Sequence, residues 1–310
     1  MSAVDQNTAP TDSMTKDAPE EIKIPMPWGH LSGKWWGPME QQPIVALHGW
    51  QDNAGSFEHL IPLLPADIAI LCVDLPGHGL SSHFYDGQFS YVFWESLLNL
   101  RRIQKYYKWN KMKLLGHSLG GAVAFLYAAS YPDDTEFVIA LDMAGPTVGN
   151  VAKRVPVTGT CIDKFLEYDM LKSENVPTYT YEDVIQIANN GYNGAVSKEG
   201  LVTLMKRGAL PSYEPDRYYF ARDPRLKVAY LGMLSMDLIL AYAAQIKCAY
   251  LNIRATKGYI SDEPDNYQTT LDVIKKSATR FEYHEVEGNH FVHLNNPERV
   301  APIIIQFLRT

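Results

Sequence analysis

The stretch Lys113-Leu114-Leu115-Gly116-His117-Ser118-Leu119-Gly120-Gly121-Ala122-Val123-Ala124-Phe125-Leu126-Tyr127-Ala128-Ala129 decides the architecture of this chain. It reads as a short buried strand, a sharp turn with a serine at its tip, and an apolar helix. Glycines two positions before and two after Ser118 remove side chains that would collide where the chain reverses, so the serine can hold a strained backbone angle with Oγ exposed. A hydroxyl presented in this way is suited to nucleophilic attack. The competing reading is a glycine-rich turn with an N-capping serine, and it gives no reason for the flanking strand and helix.

Working outward, Ile44–Leu47, Ile68–Val73, Met112–Leu115 and Phe137–Leu141 are short apolar runs of the kind buried on both faces of a parallel sheet. Helical segments, Phe89–Tyr107 and Leu119–Ser130, lie between them. A hairpin of Glu21–Pro25 and His30–Trp36, turned at Pro27-Trp28-Gly29, comes first. The pattern predicts an α/β fold with a mostly parallel, doubly wound sheet. The alternation breaks after Asp142. From about 148 to 243 the chain offers amphipathic helices, Ile162–Lys172, Tyr181–Asn189 and Lys198–Arg207, with Pro- and Tyr-rich joints and no strand. Strand Lys247–Ile253, helix Tyr267–Lys276, strand Arg280–Val286 and helix Pro297–Leu308 then resume the pattern. The expected organisation is a disordered tail over 1–20, a core formed by 21–147 and 244–310, and an inserted helical cap over 148–243.

Composition narrows the function. With 310 residues and 46% hydrophobic content, the chain can bury a large core. A net charge of −7, with Lys and Arg scattered, argues against a nucleic-acid partner. No apolar run approaches the ~20 residues of a membrane span. Cys72, Cys161 and Cys248 lie far apart in or near apolar segments and read as buried free thiols, which suits a reducing, cytoplasmic setting. Residues 1–20 are polar and lack the apolar region of a signal peptide.

A serine hydroxyl needs a base. His290, in Glu287-Gly288-Asn289-His290-Phe291-Val292-His293, follows the last strand, on the sheet edge where open α/β folds place their sites, and is the expected general base. His293 is expected to be its structural neighbour. The oxyanion of an attacked carbonyl needs two N–H donors, for which the backbone of Leu119 and of Trp50, in the turn His48-Gly49-Trp50, are expected. His48, Gly49, Phe57 and His117 are expected to contact substrate. No metal or other cofactor is called for. The carboxylate that should orient His290 is the open position, because the place shortly after Ile253 holds Gly258. Asp142, closing an apolar strand at the same edge, is the first candidate, and Asp262 is the alternative. Asp74, in Asp74-Leu75-Pro76-Gly77-His78-Gly79, is expected to bond backbone amides of a rigid turn.

Together, His48-Gly49-Trp50, Asp74-Leu75-Pro76-Gly77-His78-Gly79, Gly116-His117-Ser118-Leu119-Gly120-Gly121 and Gly288-Asn289-His290 resemble the α/β-hydrolase superfamily. The resemblance runs from Glu21 to Thr310. Within it, residues 45–57, 77–83 and Lys257-Gly258-Tyr259 look like the serine hydrolase-like (Kraken-type) proteins of animals. That resemblance implies a serine hydrolase with a poorly defined substrate, often assumed to be an ester. Related haloalkane dehalogenases and epoxide hydrolases carry an aspartate where this chain has Ser118, which argues against both activities. The leading expectation is hydrolysis of a small or medium apolar carboxylic ester through an acyl-enzyme. The alternative is a ligand receptor or scaffold with weak catalysis, a reading kept open by the missing acid near Gly258.

Overall fold

The computed structural model describes residues 18–88, 93–171, 176–228, 233–258 and 265–310. The expected tail therefore lies almost wholly outside the described residues, as do Asp262 and the first four residues of the helix expected from Phe89. In chain order the first half comprises β1 (Glu20–Met26), β2 (Gly29–Trp36), β3 (Ile44–Leu47), β4 (Ile70–Val73), α1 (Phe93–Tyr107), β5 (Met112–His117), α2 (Leu119–Ser130) and β6 (Thr135–Leu141). An inserted stretch holds α3 (Val151–Arg154), α4 (Thr158–Asp169), α5 (Tyr181–Gly191), α6 (Lys198–Gly208), β7 (Ala209–Pro211), β8 (Tyr218–Phe220) and α7 (Met236–Ala243). The chain then returns to β9 (Ala249–Lys257), α8 (Asp265–Ser277), β10 (Arg280–Asn289), α9 (Val292–Asn295) and α10 (Ala301–Arg309).

Eight strands form one sheet in the order β1-β2-β4-β3-β5-β6-β9-β10. β1 and β2 are the antiparallel hairpin read from the sequence, β2 joins β4 antiparallel, and the remaining pairs are parallel. The strands read as unbroken apolar runs because both faces are covered. Val45, Leu47, Leu114, Val138 and Ala140 face one core with residues of α1, α2, α7 and α8, whereas Ile44, Ala46, Leu115, Ile139 and Leu141 face a second core closed by Ala301, Ile304 and Phe307 of α10. Period-two alternation thus divides each strand between two layers of helices.

The inserted stretch departs from its expected description in two places. Ala209–Pro211 and Tyr218–Phe220 pair antiparallel as a two-stranded sheet, where the sequence suggested helices alone. Three-residue strands are too short to show a period. Secondly, α7 is not part of that layer, since Ile239 and Ala243 pack into the main core beside α2 and α8. A third cluster unites Val184 and Ala188 of α5, Leu201, Leu204 and Met205 of α6, and Phe291 and Leu294. The insertion is therefore seated on the segment that carries His290. Arg207 of α6 fastens it further, donating from Nε to Asp74 Oδ2 at 2.6 Å and pairing with Glu21. Among the described residues no helix is long and apolar enough to cross a membrane.

Candidate active site

The chain passes from β5 to α2 through Ser118, whose backbone lies at φ 51°, ψ −118°. A non-glycine residue tolerates positive φ only where its surroundings enforce it. They do so here. A Cβ on Gly116 would overlap the backbone of Gly120, and one on Gly120 would overlap the Leu47 carbonyl of β3. Gly120 N–H donates to His48 O at 3.1 Å, and Ser118 N–H to Leu141 O at 3.2 Å, so the turn is pinned to both neighbouring strands. Although Ser118 occupies the N-cap position of α2, its side chain makes no capping bond, which removes the ordinary reason for a serine there. Leu119 is the first helical residue, and its N–H has no intrahelical acceptor.

His290 follows β10. Its Nδ1 donates to Asp142 Oδ2 at 2.6 Å, in a pair that is largely buried. Asp142 closes β6 with φ 52°, its N–H bonded to Ile253 O at 2.7 Å and its Oδ1 accepting Ala255 N–H at 2.9 Å. One carboxylate oxygen is thus committed to the backbone and the other to the imidazole. β6 and β9 are adjacent, with Leu141 opposite Ile253, so the strand end that carries Asp142 adjoins the segment leading to Gly258. A Cβ on Gly258 would overlap the Asp142 carboxylate. The glycine leaves room for a carboxylate delivered from the next strand.

Where the sequence suggested substrate contact, the structure gives His48, Phe57 and His117 interior neighbours instead. His48 is fully buried, donates from Nδ1 to Gly49 O at 2.8 Å and accepts Leu75 N–H on Nε2 at 2.9 Å, so both ring nitrogens hold backbone. Phe57 belongs to the core beneath the sheet and packs on the His293 ring. His117 points beneath the turn and donates from Nε2 to the backbone carbonyl of His290 at 2.8 Å, tying the residue before Ser118 to the base's own main chain. Gly49 is tightly surrounded, since a Cβ there would meet Asp52 Oδ2 and His117 Nδ1, each at 3.0 Å. His293, expected as a neighbour, is buried against His117 with ring centroids 4.0 Å apart, its Nε2 bonded to Ser56 Oγ at 2.9 Å. Asp74 accepts from Ala54 N–H at 2.7 Å and Leu80 N–H at 2.9 Å, as expected of a turn-holding carboxylate.

Sequence reasoning missed the buried group beneath this site. Asp52 has one oxygen without a hydrogen bond and the other 3.7 Å from His117 Nδ1, itself without a bond. Burial pushes the pKa of His117, His293, His48 and His78 below the usual imidazole value, that of His78 to about 3. These rings are therefore neutral at pH 7. Trp50 stands edge-on to His78, whose Nε2 accepts Gln51 N–H at 3.1 Å, which fixes the turn after β3.

Sequence comparison agrees with this geometry. Residues 42–148 match the alpha/beta hydrolase fold. A probable serine hydrolase of Drosophila melanogaster is 46% identical over 98% of this chain and 92% of its own length. The chain belongs to the serine hydrolase-like proteins of the α/β-hydrolase family. A serine hydrolase-like protein of Danio rerio is 35% identical over 96% of this chain and 91% of its own length. Among solved structures, a hypothetical protein of Pseudomonas aeruginosa PAO1 superposes with a TM-score of 0.81 at 29% identity, covering 94% of this chain and 100% of that one.

Proposed function

We propose that this serine hydrolase-like protein cleaves a small or medium, largely apolar carboxylic ester through an acyl-enzyme. The observation that carries the proposal is the 2.6 Å bond from His290 Nδ1 to Asp142, within a fold that holds Ser118 in a strained turn. With Nδ1 turned to the carboxylate, Nε2 of His290 is the nitrogen that takes the proton from Ser118 Oγ as it attacks the carbonyl. Asp142 then stabilises the imidazolium. The N–H groups of Leu119 and Trp50 receive the developing oxyanion. Collapse expels the alcohol with a proton from His290, and water, activated by the same base, releases the acid. The inserted α4–α6 layer, packed on Phe291 and Leu294, acts as a cap that selects the acyl chain.

The receptor or scaffold reading drew on the empty position after Ile253, and Asp142 beside His290 weighs against it. Cys72, Cys161 and Cys248 are buried and none of them is in a disulfide, which suits a reducing compartment. The test is 4-nitrophenyl butyrate hydrolysis and fluorophosphonate labelling of wild type and Ser118→Ala. Wild type is expected to turn over and label. The alanine variant is expected to lose labelling and at least about 10³-fold in kcat while melting at the wild-type temperature. Wild-type turnover in the alanine variant would move the nucleophile elsewhere.

A further inference from the structure

Resting on the ester-hydrolase reading, we propose that Arg222 is an anion-binding residue of this site, and that the ester carries a carboxylate remote from the bond that is cut. Arg222 lies in a rigid segment. Ala221 N–H bonds Gly208 O at 2.9 Å, His83 Nε2 donates to Ala221 O at 2.9 Å, Asp223 N–H bonds Gly77 O at 2.8 Å, and Gln51 Nε2 donates to Leu226 O at 3.1 Å. Two of these partners, Gly77 and Gln51, belong to the turns that flank Trp50. The segment is thus built onto the turn expected to hold the oxyanion.

What sets Arg222 apart is its unused hydrogen-bonding capacity. Arg225, three residues on, spends its guanidinium on Asp223, Asp169 and the carbonyls of Phe84 and Tyr85, while Arg207 holds Asp74 and Glu21. Arg222, partly buried, has no hydrogen bond or ion pair to any described residue, and its guanidinium lies 5.0 Å from the Phe220 ring centroid. A half-buried guanidinium whose donors bond no described protein group is placed to receive an anion that reaches it, at little cost in broken protein bonds. Burial lowers its pKa, and the nearby ionisable groups that oppose this are Tyr192 and Asp52. Asp52 is turned instead toward His117. Tyr192 connects the two regions: its hydroxyl donates to Gln51 O at 3.3 Å, and its ring packs on Phe291, which packs on His290. Lys227 adds a second positive charge close enough to feel Arg222, with its Nζ over the Tyr168 ring and no carboxylate in reach among the described residues. A planar fork with all its donors unspent fits a carboxylate, which it can hold in two parallel bonds.

The experiment pairs 4-nitrophenyl hexanoate with mono-4-nitrophenyl adipate, which differ by a terminal carboxylate. Glutarate and inorganic phosphate binding to the Ser118→Ala protein, measured by calorimetry, gives a readout independent of turnover. The adipate monoester is expected to exceed the hexanoate ester in kcat/KM by about tenfold at low salt, as a hydrogen-bonded charge pair allows. That ratio, and glutarate affinity, should each fall about tenfold in Arg222→Gln and recover in part in Arg222→Lys. Equal kcat/KM for the two esters, with no glutarate binding, would overturn the inference and leave the hydrolase reading standing. Arg222-dependent glutarate binding without hydrolysis of either ester would retain the anion site and remove the hydrolase reading. Tighter binding of phosphate than of glutarate would overturn the carboxylate assignment.

Discussion

Substitution of Asp142 by asparagine tests the catalytic reading at its most specific point. The carboxylate bonds Ala255 N–H through Oδ1 at 2.9 Å and His290 Nδ1 through Oδ2 at 2.6 Å. Asparagine can keep the first only by turning its carbonyl to Ala255, which aims its NH₂ at His290. Two donors then face each other unless the imidazole moves its proton to Nε2, and that tautomer has no lone pair for Ser118. Loss on the order of 10⁴ in kcat is expected, about 5.5 kcal/mol of transition-state stabilisation. The neighbouring strand offers a rescue. Gly258 has no side chain where a Cβ would overlap this carboxylate, so Asp142→Gly vacates the space that a Gly258→Asp side chain would enter. The backbone at 142 has φ 52°, which glycine adopts without strain. Asp142→Gly alone should lose as much activity as Asp142→Asn, and the double variant should recover at least about tenfold over it. The assay is kcat for 4-nitrophenyl butyrate, with circular dichroism to verify the fold. An Asp142→Asn protein within tenfold of wild type would refute the reasoning and leave Ser118 and His290 as a dyad.

Two further outcomes concern stability. Gly120→Ala sets a methyl group 2.0 Å from the Leu47 carbonyl oxygen, a backbone atom of a central strand that cannot swing aside, so urea unfolding should show a loss of more than about 4 kcal/mol; Gly159→Ala in α4, with open space around its Cβ, should gain about 0.5 to 1 kcal/mol. Acid should destabilise the protein through its buried histidines: between the ordinary value of 6.5 and a folded value of about 3, the unfolded chain binds a proton at His78 that the folded chain refuses. Stability is thus complete above pH 6.5 and falls toward pH 3 by about 1.4 kcal/mol per unit on account of His78, and His48, His117 and His293 shift in the same direction. An unfolding free energy that stays constant from pH 7.5 to 4.5 would contradict this account.

The parts of the fold that were legible in the sequence are those governed by short-range spacing. Gly116, Ser118 and Gly120 stand two residues apart because a strand-to-helix reversal needs them there, and the strand and helix on either side announce themselves by composition. His48, Phe57 and His117 adjoin the right residues in sequence, and that adjacency alone suggests substrate contact. Adjacency in sequence says little about direction, and in this turn alternate residues face opposite sides. His117 lies one position before Ser118 yet is buried against His293 and the His290 carbonyl. Likewise α7 looked like insertion because no strand separates it from the cap helices, whereas its apolar positions Ile239 and Ala243 belong to the main core.

The orienting acid was half legible for a related reason. Both candidate positions follow an apolar strand at the active edge, and only the strand order can say that these two strands are neighbours. Once β6 lies beside β9 with Leu141 opposite Ile253, the two strand ends present one volume to His290, and a single carboxylate fills it. Asp142 and Gly258 are then one observation rather than two, since the first brings the oxygens and the second withdraws the side chain that would displace them. The glycine that looked in the sequence like a missing acid is, in three dimensions, a condition for the acid being where it is. Gly258→Ala, with Asp142 intact, should therefore lose activity by pushing the carboxylate away from Nδ1, although it removes no catalytic group. Full activity in that variant, with its melting temperature unchanged, would show that the two positions are independent.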